Sequence, residues 1–348
     1  MSELVRRELE ESASVISKVE VDQIIRIAKA VVKVFQSGGK LALFGNGGSA
    51  ADAQHIAAEL VGRYKMQRPP LPASAFINLS SITAIGNDYS FEDVFVRQVE
   101  GWAKKGDAII AISTSGNSRN VLRAVTKAKE LEVLTIGFSG HAGKLKEIVD
   151  LALVVPSTST PRVQEGYMAA AHVICGLVEK GMFGRRAVFI DRDDTIAKDV
   201  PYCPSPEKLE LFPGVGRSIK RLNDAGFLVI MVTNQSGVAR GYFSEEDLER
   251  IHDKMRRDLA EEGAHLDAIY YCPHLPEAGC DCRKPAVGMI MQAMRDFDID
   301  IFSSFVIGDS EREMELARRI GAKGIQVTDD FDFNQAVNEV LEIAPPSF

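Results

Sequence analysis

The sequence predicts an α/β protein built from two doubly wound parallel-sheet domains in tandem. Short apolar segments of strand length alternate with helical segments along the chain, which favours parallel sheets covered by helices on both faces. The alternation is interrupted once, at Gly181–Arg186, and then restarts. The length of 348 residues is also about twice that of a usual domain. We therefore expect one domain over residues 1–183 and a second over residues 184–348.

Composition and charge exclude several classes of protein. Hydrophobic residues make up 45% of the chain and charged residues 26%, as in an ordinary globular protein. No apolar run approaches the ~18 residues that cross a bilayer, and the N-terminus lacks a signal-peptide core, so no membrane partner is expected. Five unevenly placed cysteines do not form a disulfide framework, so we expect a cytoplasmic location. The net charge is +2 over residues 1–183 and −10 over residues 184–348, which argues against a nucleic-acid partner.

In the first domain, apolar spacing predicts a helix from about Val15 to Val34 and a last helix from about Arg162 to Lys180. Between them we predict a helix from Ser49 to about Tyr64 and the strands Lys40–Gly45, Ser74–Asn78, Ala108–Ser113, Val133–Phe138 and Leu151–Val155. Since ligands of such sheets bind beyond the carboxyl ends of the strands, the loops that follow the strands are the expected place for a site.

Two polar loops each follow a predicted strand and begin a helix. The first, Gly45-Asn46-Gly47-Gly48-Ser49-Ala50, suits an anion held by amides at a helix N-terminus. It also fits the dinucleotide pattern G-x-G-x-x-A, but no acid ends a strand about twenty residues further on. The second, Ser113-Thr114-Ser115-Gly116-Asn117-Ser118, offers four hydroxyl groups in six residues. Either loop alone would be a turn or a helix cap, whereas the two together indicate a phosphate pocket.

Four further side chains at helical spacing form a candidate site. His55 and Glu59 are four residues apart and share a helix face, and Gln164 and His172 are eight apart and also lie near one face. Any one of them alone would more often be a solvated or core residue. Together they predict either a divalent metal site or a set for acid/base chemistry.

With Gly86-Asn87-Asp88, these motifs resemble the sugar-isomerase (SIS) domain of the phosphoheptose isomerase family over nearly all of residues 1–183. The resemblance implies that the serine loop binds the phosphate of sedoheptulose 7-phosphate, that Glu59 is the general base and that His172 is the acid. It also implies a homotetramer, sugar contacts at Asn46, Asn87 and Asp88, and zinc at His55, Glu59, Gln164 and His172.

One departure from this family is Pro161, which stands where the family often has an acidic residue. The alternative is a non-catalytic relative that uses the same domain as a regulatory or binding module. The retention of Glu59, Gln164 and His172 argues against that alternative.

In the second domain, strands are predicted at Ala187–Ile190, Phe227–Val232, Ala268–Tyr271, Phe305–Ile307 and Gly324–Val327. Asp191 and Asp193 follow the first of these strands, where two close acids would repel each other unless a cation lies nearby. A solvated acidic turn is the alternative. Thr233-Asn234 and Asp309 end two other strands, and Arg283-Lys284 lies between them in sequence.

This ordered set resembles the haloacid-dehalogenase (HAD) phosphatase superfamily. The resemblance implies that Asp191 attacks phosphorus and that Asp193 serves as acid and base. Mg²⁺ would be held by Asp191, Asp193 and Asp309. Thr233 and Lys284 would hold the phosphoryl oxygens, and Asn234 and Arg283 would also bind the substrate.

Three cysteines and a histidine fall within eleven residues: Cys272, His274, Cys280 and Cys282. This spacing predicts a structural zinc site with four closed ligands, and the loop leads directly into Arg283-Lys284. Within the HAD superfamily, Thr233–Gly241 and this loop resemble heptose-1,7-bisphosphate 7-phosphatases. The short Leu275–Gly279 spacer also resembles histidinol-phosphate phosphatases, which are the alternative. The sequence therefore predicts a bifunctional enzyme for phosphorylated seven-carbon sugars, with a separate kinase acting between its two steps.

Overall fold

The structure, a computed structural model, describes residues 1–200 and 202–344. The chain divides into two compact units, Met1–Met182 and Phe183–Phe348. The terminal Pro345-Pro346-Ser347-Phe348, predicted from sequence to fray, lies outside the described residues.

The first unit alternates helices with parallel strands. Its helices are α1 (Ser2–Ile16), α2 (Val21–Gln36), α3 (Gly48–Val61), α4 (Leu79–Asp88), α5 (Val96–Trp102), α6 (Arg119–Glu130), α7 (Leu145–Ile148) and α8 (Thr160–Phe183). Its strands are β1 (Leu41–Gly45), β2 (Ala73–Ala75), β3 (Ala108–Ser113), β4 (Leu134–Gly140) and β5 (Leu151–Val155). The five strands form one sheet in the order β2-β1-β3-β4-β5, with every pair parallel.

Two predicted elements of the first unit have the wrong extent. The helix predicted from Val15 to Val34 is two helices, because the backbone becomes extended at Glu20 between α1 and α2. The strand predicted at Ser74–Asn78 is only Ala73–Ala75. Asn78 instead caps α4, since its side chain accepts a hydrogen bond from the Ser81 amide.

The second unit repeats the alternation around a second parallel sheet. Its strands are β6 (Ala187–Ile190), β7 (Leu228–Asn234), β8 (Ala268–Cys272), β9 (Phe305–Gly308) and β10 (Lys323–Gln326). Its helices are α9 (Val215–Asp224), α10 (Glu245–Glu261), α11 (Gly288–Asp296), α12 (Glu311–Ile320) and α13 (Phe333–Ile343). The sheet order is β10-β9-β6-β7-β8, so β6 is central.

The strand side chains of the second sheet alternate between two apolar cores. Val188 and Ile190 pack with residues of α9, α10 and α13, whereas Ala187 and Phe189 pack with residues of α11 and α12. Both faces are covered, which explains why these strands read as continuous apolar runs. The predicted fold class of two doubly wound parallel-sheet domains is confirmed. Within residues 1–200 and 202–344, no helix combines the length and apolar character that crossing a bilayer requires.

Candidate active sites

The two polar loops of the first unit lie side by side at the carboxyl edge of its sheet. They follow β1 and β3, which pair directly, with Gly45 opposite Ile112. Asn46 Nδ2 donates to Asn120 Oδ1 at 2.9 Å, and Asn120 Nδ2 donates back to Asn46 Oδ1 at 2.8 Å. Asn46, a predicted sugar contact, therefore also joins the two loops. Asn120, at the start of α6, carries no local sequence signal for this role.

The serine loop turns its hydroxyl groups toward one another. Ser113 Oγ lies 3.1 Å from Ser118 Oγ and 3.5 Å from Ser115 Oγ. Gly116 has a φ of +65°, and a Cβ there would lie 2.9 Å from the Ala142 carbonyl oxygen, so the turn requires glycine. Converging hydroxyl groups ahead of a helix N-terminus are suited to a phosphate group.

His55 and Glu59 of α3 face His172 of α8. His55 Nε2 lies 3.2 Å from Glu59 Oε1 and 3.3 Å from His172 Nε2. Two ligands of a tetrahedral zinc ion, each at about 2.0–2.1 Å, are separated by roughly 3.3 Å. The nitrogen and oxygen donors and their spacing therefore fit zinc.

Gln164 contacts an acid that the sequence analysis missed. Gln164 Nε2 donates to Asp52 Oδ2 at 2.6 Å, and Tyr167 donates its hydroxyl to the same oxygen at 2.6 Å. Asp52 precedes His55 by three residues and Glu59 by seven on α3. That helical spacing was the available signal for its place beside the site.

A buried carboxylate organises the loop that follows α3. Glu179 accepts hydrogen bonds from the backbone amides of Tyr64 (2.7 Å), Lys65 (2.8 Å) and Met66 (3.1 Å), and pairs with Arg68 at 3.0 Å. Burial alone would raise the pKa of Glu179, but these donors hold the pKa below its ordinary value. The Tyr64 ring in turn stacks on His172, with ring centroids 5.6 Å apart.

The remaining predicted residues of the first site lie on α4 and in the turn before α3. Asn87 and Asp88 are at the C-terminal end of α4 and hydrogen-bond to each other at 2.8 Å. In residues 1–200 and 202–344 no hydrogen bond joins either of them to the His55–Glu59–His172 cluster. Gly47, with a φ of +53°, and Gly48 form the turn that leads into α3. The sugar contacts expected at Asn87 and Asp88 remain predictions.

In the second unit, the predicted site residues lie at the carboxyl ends of the three central strands of the sheet. Asp191 follows β6, Thr233 and Asn234 end the neighbouring β7, and Asp309 follows β9 on the other side. Lys284 Nζ lies 2.8 Å from Asp191 Oδ2 and is almost fully buried. The lysine is thus placed beside the predicted nucleophile.

Glu313 is a functional candidate that the sequence analysis missed. Its Oε1 atom lies 2.8 Å from Lys284 Nζ, and carboxylate oxygens of Asp191, Asp309 and Glu313 lie within 4.8 Å of one another. Its spacing of four residues after Asp309, at the start of α12, was the available signal.

Three carboxylates share one lysine in this cluster. Burial, followed by the charges of Asp191 and Glu313, raises the pKa of Asp309 to about 6. Burial also raises the pKa of Asp191, although Lys284 opposes this. The single ammonium group of Lys284 does not balance the negative charge of three carboxylates. Their oxygen atoms are the ligands that a divalent cation such as Mg²⁺ prefers.

Asp193 has a different environment from the other acids. Its carboxylate accepts hydrogen bonds from Arg192 Nε (2.8 Å), Arg192 Nη2 (3.1 Å) and Gln235 Nε2 (2.9 Å). Arg192 and Gln235 therefore orient the Asp193 carboxylate. The three carboxylates that are close enough to hold a metal ion are Asp191, Asp309 and Glu313, which we call the metal-capable cluster. Magnesium ligation by the Asp193 side chain remains a prediction.

The side chains of Asn234 and Arg283 hydrogen-bond to the backbone of the segments around this site. Asn234 Oδ1 accepts from the Lys284 amide at 3.0 Å, and Asn234 Nδ2 donates to the Lys284 carbonyl at 3.3 Å. Arg283 Nη1 donates to the His274 carbonyl at 3.2 Å. A cavity of about 230 Å³ opens beside these residues, and its lining includes Asp191, Thr233, Arg283, Asp309 and Arg312.

Cys272, His274, Cys280 and Cys282 converge as predicted from their spacing. The sulfur atoms lie 3.2 to 3.6 Å apart, and His274 Nδ1 is 3.2 Å from Cys282 Sγ. Burial raises the pKa of Cys280, but hydrogen bonds with Cys282 and Cys272 lower it to about 7. Four closely spaced soft donors, one of them readily deprotonated, fit a tetrahedral zinc ion.

Each of the two units contains a match to a known family model. Residues 6–140 match the model of the SIS domain family, and residues 281–345 match that of HAD-hydrolase-like proteins. Among solved structures, the D,D-heptose 1,7-bisphosphate phosphatase from B. bronchiseptica, complexed with magnesium and phosphate, is similar at 33% identity with a TM-score of 0.43. That similarity covers 46% of this chain and 99% of the other.

Fold and sites together define a two-domain protein with a SIS-type sugar-isomerase domain, followed by a domain whose residues 281–345 match the HAD-hydrolase-like family. The phosphoheptose isomerase of Trichlorobacter lovleyi is 46% identical over 189 residues, which are 53% of this chain and 96% of that protein. The phosphoheptose isomerase of Geobacter metallireducens is 50% identical over 188 residues, 53% of this chain and 100% of that protein. Through its first half, the chain belongs to the phosphoheptose isomerase family.

Proposed function

We propose that this protein catalyses two steps of heptose metabolism. The first unit converts sedoheptulose 7-phosphate into D-glycero-D-manno-heptose 7-phosphate. The second unit removes the C7 phosphate from D-glycero-D-manno-heptose 1,7-bisphosphate. The convergence of His55, Glu59 and His172 is the observation that supports the isomerase, and the pairing of Lys284 with Asp191 beside Asp309 supports the phosphatase.

In the isomerase, Glu59 takes a proton from C1 of the ketose while His172 gives one to the C2 oxygen, which produces an enediol. Return of a proton to C2 and loss of the proton on the C1 oxygen then give the aldose. The serine loop holds the phosphate, so that the chain of the sugar extends toward Glu59. Zinc held by His55, Glu59 and His172, with Gln164 as the fourth predicted ligand, would stabilise negative charge on the enediol oxygens.

Incubation with sedoheptulose 7-phosphate, followed by NMR, tests the isomerase. Appearance of the aldose is expected, and Glu59→Gln should lower its rate by about 10²–10⁴-fold because the general base is lost. Glu100→Gln, an exposed acid on α5, is the matched control and should react as the unaltered protein does. No turnover in the presence of zinc would contradict the proposal.

In the phosphatase, an Asp191 oxygen attacks phosphorus and the bond from phosphorus to the C7 oxygen breaks. Asp193 gives its proton to the departing oxygen and later takes one from the water that hydrolyses the phospho-aspartate. Thr233 and Lys284 hold the phosphoryl oxygens, and Arg283 lines the cavity where the rest of the sugar would lie. Mg²⁺ held by Asp191, Asp309 and Glu313 would neutralise charge as the two anions approach.

Phosphate release from both anomers of heptose 1,7-bisphosphate should be compared with release from histidinol phosphate. The heptose substrate should react faster, and Asp191→Asn should abolish release from either substrate because the nucleophile is removed. Faster release from histidinol phosphate would overturn the heptose assignment. The anomer that reacts faster identifies the product handed to the next enzyme.

The proposal extends to cofactors, assembly and location. Cys272, His274, Cys280 and Cys282 hold a structural zinc ion that orders the loop before Arg283. A separate kinase adds the C1 phosphate between the two steps, and the protein acts in the cytoplasm as a homotetramer assembled through its first unit. Sedimentation as a monomer would contradict the proposed assembly.

A further inference from the structure

Asp52 lies beside the isomerase cluster but has no part in the chemistry proposed above. Its Oδ2 atom is 2.6 Å from both Gln164 Nε2 and the Tyr167 hydroxyl. A carboxylate has no proton to give, so both groups must donate to it. The side-chain amide of Gln164 has one donor end and one acceptor end, and the donor end is held by Asp52. This leaves the acceptor end, Oε1, for a partner other than Asp52.

We propose that Asp52 is a positioning residue that makes Gln164 present its carbonyl oxygen, rather than its NH₂ group, to the isomerase site. The inference rests on the function proposed above. If no partner selects the NH₂ end, the Gln164 amide can rotate by ~180° about its last bond. The NH₂ group would then face the site, where it would repel a cation and offer no acceptor to a sugar hydroxyl. Partners that orient a metal ligand in this way strengthen metal binding.

The neighbouring glycine supports the same arrangement. A Cβ at Gly48 would lie 2.8 Å from Gln164 Nε2 and 3.2 Å from Oε1. The amide of Gln164 thus lies against the bare backbone of the first polar loop. The contact places the side chain of Gln164, a residue of α8, against the start of α3, which also carries His55 and Glu59.

The second hydrogen bond to Asp52 extends its influence to Ser49. Tyr167 gives its only hydroxyl proton to Asp52, so its oxygen accepts the proton of Ser49 Oγ, 3.1 Å away. The lone pairs of Ser49 are then unused by this chain of bonds. Through these bonds Asp52 leaves two oxygen atoms, Gln164 Oε1 and Ser49 Oγ, as hydrogen-bond acceptors. Their partner is a metal ion or a sugar hydroxyl group. The phosphate remains with the hydroxyl donors of the serine loop.

Two substitutions at Asp52 separate orientation from charge. Both hydrogen bonds end on one oxygen, so Asp52→Asn retains an acceptor for both, whereas Asp52→Leu has a similar size and accepts nothing. Each full-length variant is first loaded with one equivalent of Zn²⁺ to fill the cysteine loop. It is then titrated with Co²⁺ by calorimetry, and KM and kcat are measured with sedoheptulose 7-phosphate.

Asp52→Leu should weaken Co²⁺ binding about 10–100-fold if Gln164 faces the metal. If Gln164 faces a hydroxyl group instead, Co²⁺ binding is unchanged and KM rises by at least about tenfold with a smaller change in kcat. Asp52→Asn should stay within about threefold of the unaltered protein on both readouts, since hydrogen bonds of comparable geometry remain. Equal losses in Asp52→Asn and Asp52→Leu would overturn the proposal, because charge rather than orientation would then matter. No effect of Asp52→Leu on either readout would also overturn it.

A double-mutant cycle supplies the control. In a Gln164→Leu background, Asp52→Leu should have no further effect, since its route of action is already removed. An undiminished effect there would contradict a role through Gln164. Tyr167→Phe retains the bond between Asp52 and Gln164 and should retain Co²⁺ affinity. If the unaltered protein fails to isomerise the sugar, the proposed function fails, while the Co²⁺ cycle still decides the role of Asp52.

Discussion

Glu313 joins the helix after Asp309 to the lysine that faces the nucleophile. Its Oε1 atom pairs with Lys284 at 2.8 Å, and its Oε2 atom accepts from the Ser310 amide at 3.2 Å as part of the capping box of α12. Burial alone would raise the pKa of Glu313, but Lys284, Ser310 and Arg312 together hold that pKa below its ordinary value. With both oxygens engaged, the side chain has a fixed position beside Asp191.

Replacing this carboxylate by an amide should impair the phosphatase. Glu313→Gln places an NH₂ group or a neutral oxygen against Lys284, which removes a charge from the metal-capable cluster. We expect phosphatase kcat/KM to fall about 10–100-fold and the Mg²⁺ concentration for half-maximal rate to rise. Glu311→Gln, exposed on the first turn of the same helix, is the control. An unchanged Mg²⁺ requirement in Glu313→Gln would remove Glu313 from the site.

At the scale of elements, the loop after α3 depends on one carboxylate from α8. Glu179→Gln should destabilise the first unit by about 1–3 kcal/mol, because it weakens the charge-assisted hydrogen bonds from the three loop amides and removes the ion pair with Arg68. Trp102 is the single tryptophan of the chain and lies in α5, so its fluorescence in denaturant follows the first unit. Glu130→Gln, an exposed acid on α6, should leave this transition in place.

The same variant gives a defined pH dependence. Since the pKa of Glu179 is lower when the chain is folded than its ordinary value of 4.5, its stabilisation is present in full above about pH 4.5. It is lost as the pH falls through the folded-state value. The difference in unfolding free energy between the two proteins should therefore shrink below pH 4.5, and a difference that grows there would contradict the assignment.

The cysteine loop should affect the phosphatase but not the isomerase. Cys280→Ser removes one soft donor, and the loop is linked to the site because Arg283 donates to the His274 carbonyl. We expect one zinc ion fewer per chain by elemental analysis, a KM for the bisphosphate raised about tenfold, and an unchanged isomerase rate. Cys203→Ser, which alters a buried thiol of the same unit outside the loop, should change none of these.

The sequence predicts those features of the fold and of the sites that depend on neighbouring residues in the chain. A buried strand leaves its next residue at the carboxyl edge, so Asp191 and Asp309 are placed by their strands alone. Asn120 and Asp52 differ, because their partners Asn46 and Gln164 lie 74 and 112 residues away in sequence. Helical spacing can place Asp52 near His55 and Glu59, but no local pattern in the sequence predicts its hydrogen bond to Gln164. The break between α1 and α2 was missed because apolar spacing continues through it.

At the scale of the whole molecule, the residues proposed for each reaction come from one unit only. Glu59→Gln should leave the phosphatase rate within about twofold of the unaltered protein, and Asp191→Asn should do the same for the isomerase rate, since the two sites share no residue. Both assays are run on the full-length chain. Loss of the second activity in either variant would indicate a coupling that neither site accounts for.

The bonds made by Glu179 also have a consequence for hydrogen exchange. The amides of Tyr64, Lys65 and Met66 belong to neither helix nor strand, yet all three donate to one buried carboxylate. Their protons can leave only when that carboxylate separates from the loop, which requires opening of the contact between the loop and α8. In deuterated buffer the amides of Tyr64, Lys65 and Met66 should therefore exchange as slowly as those of α3 and α8, the helices that the loop contacts.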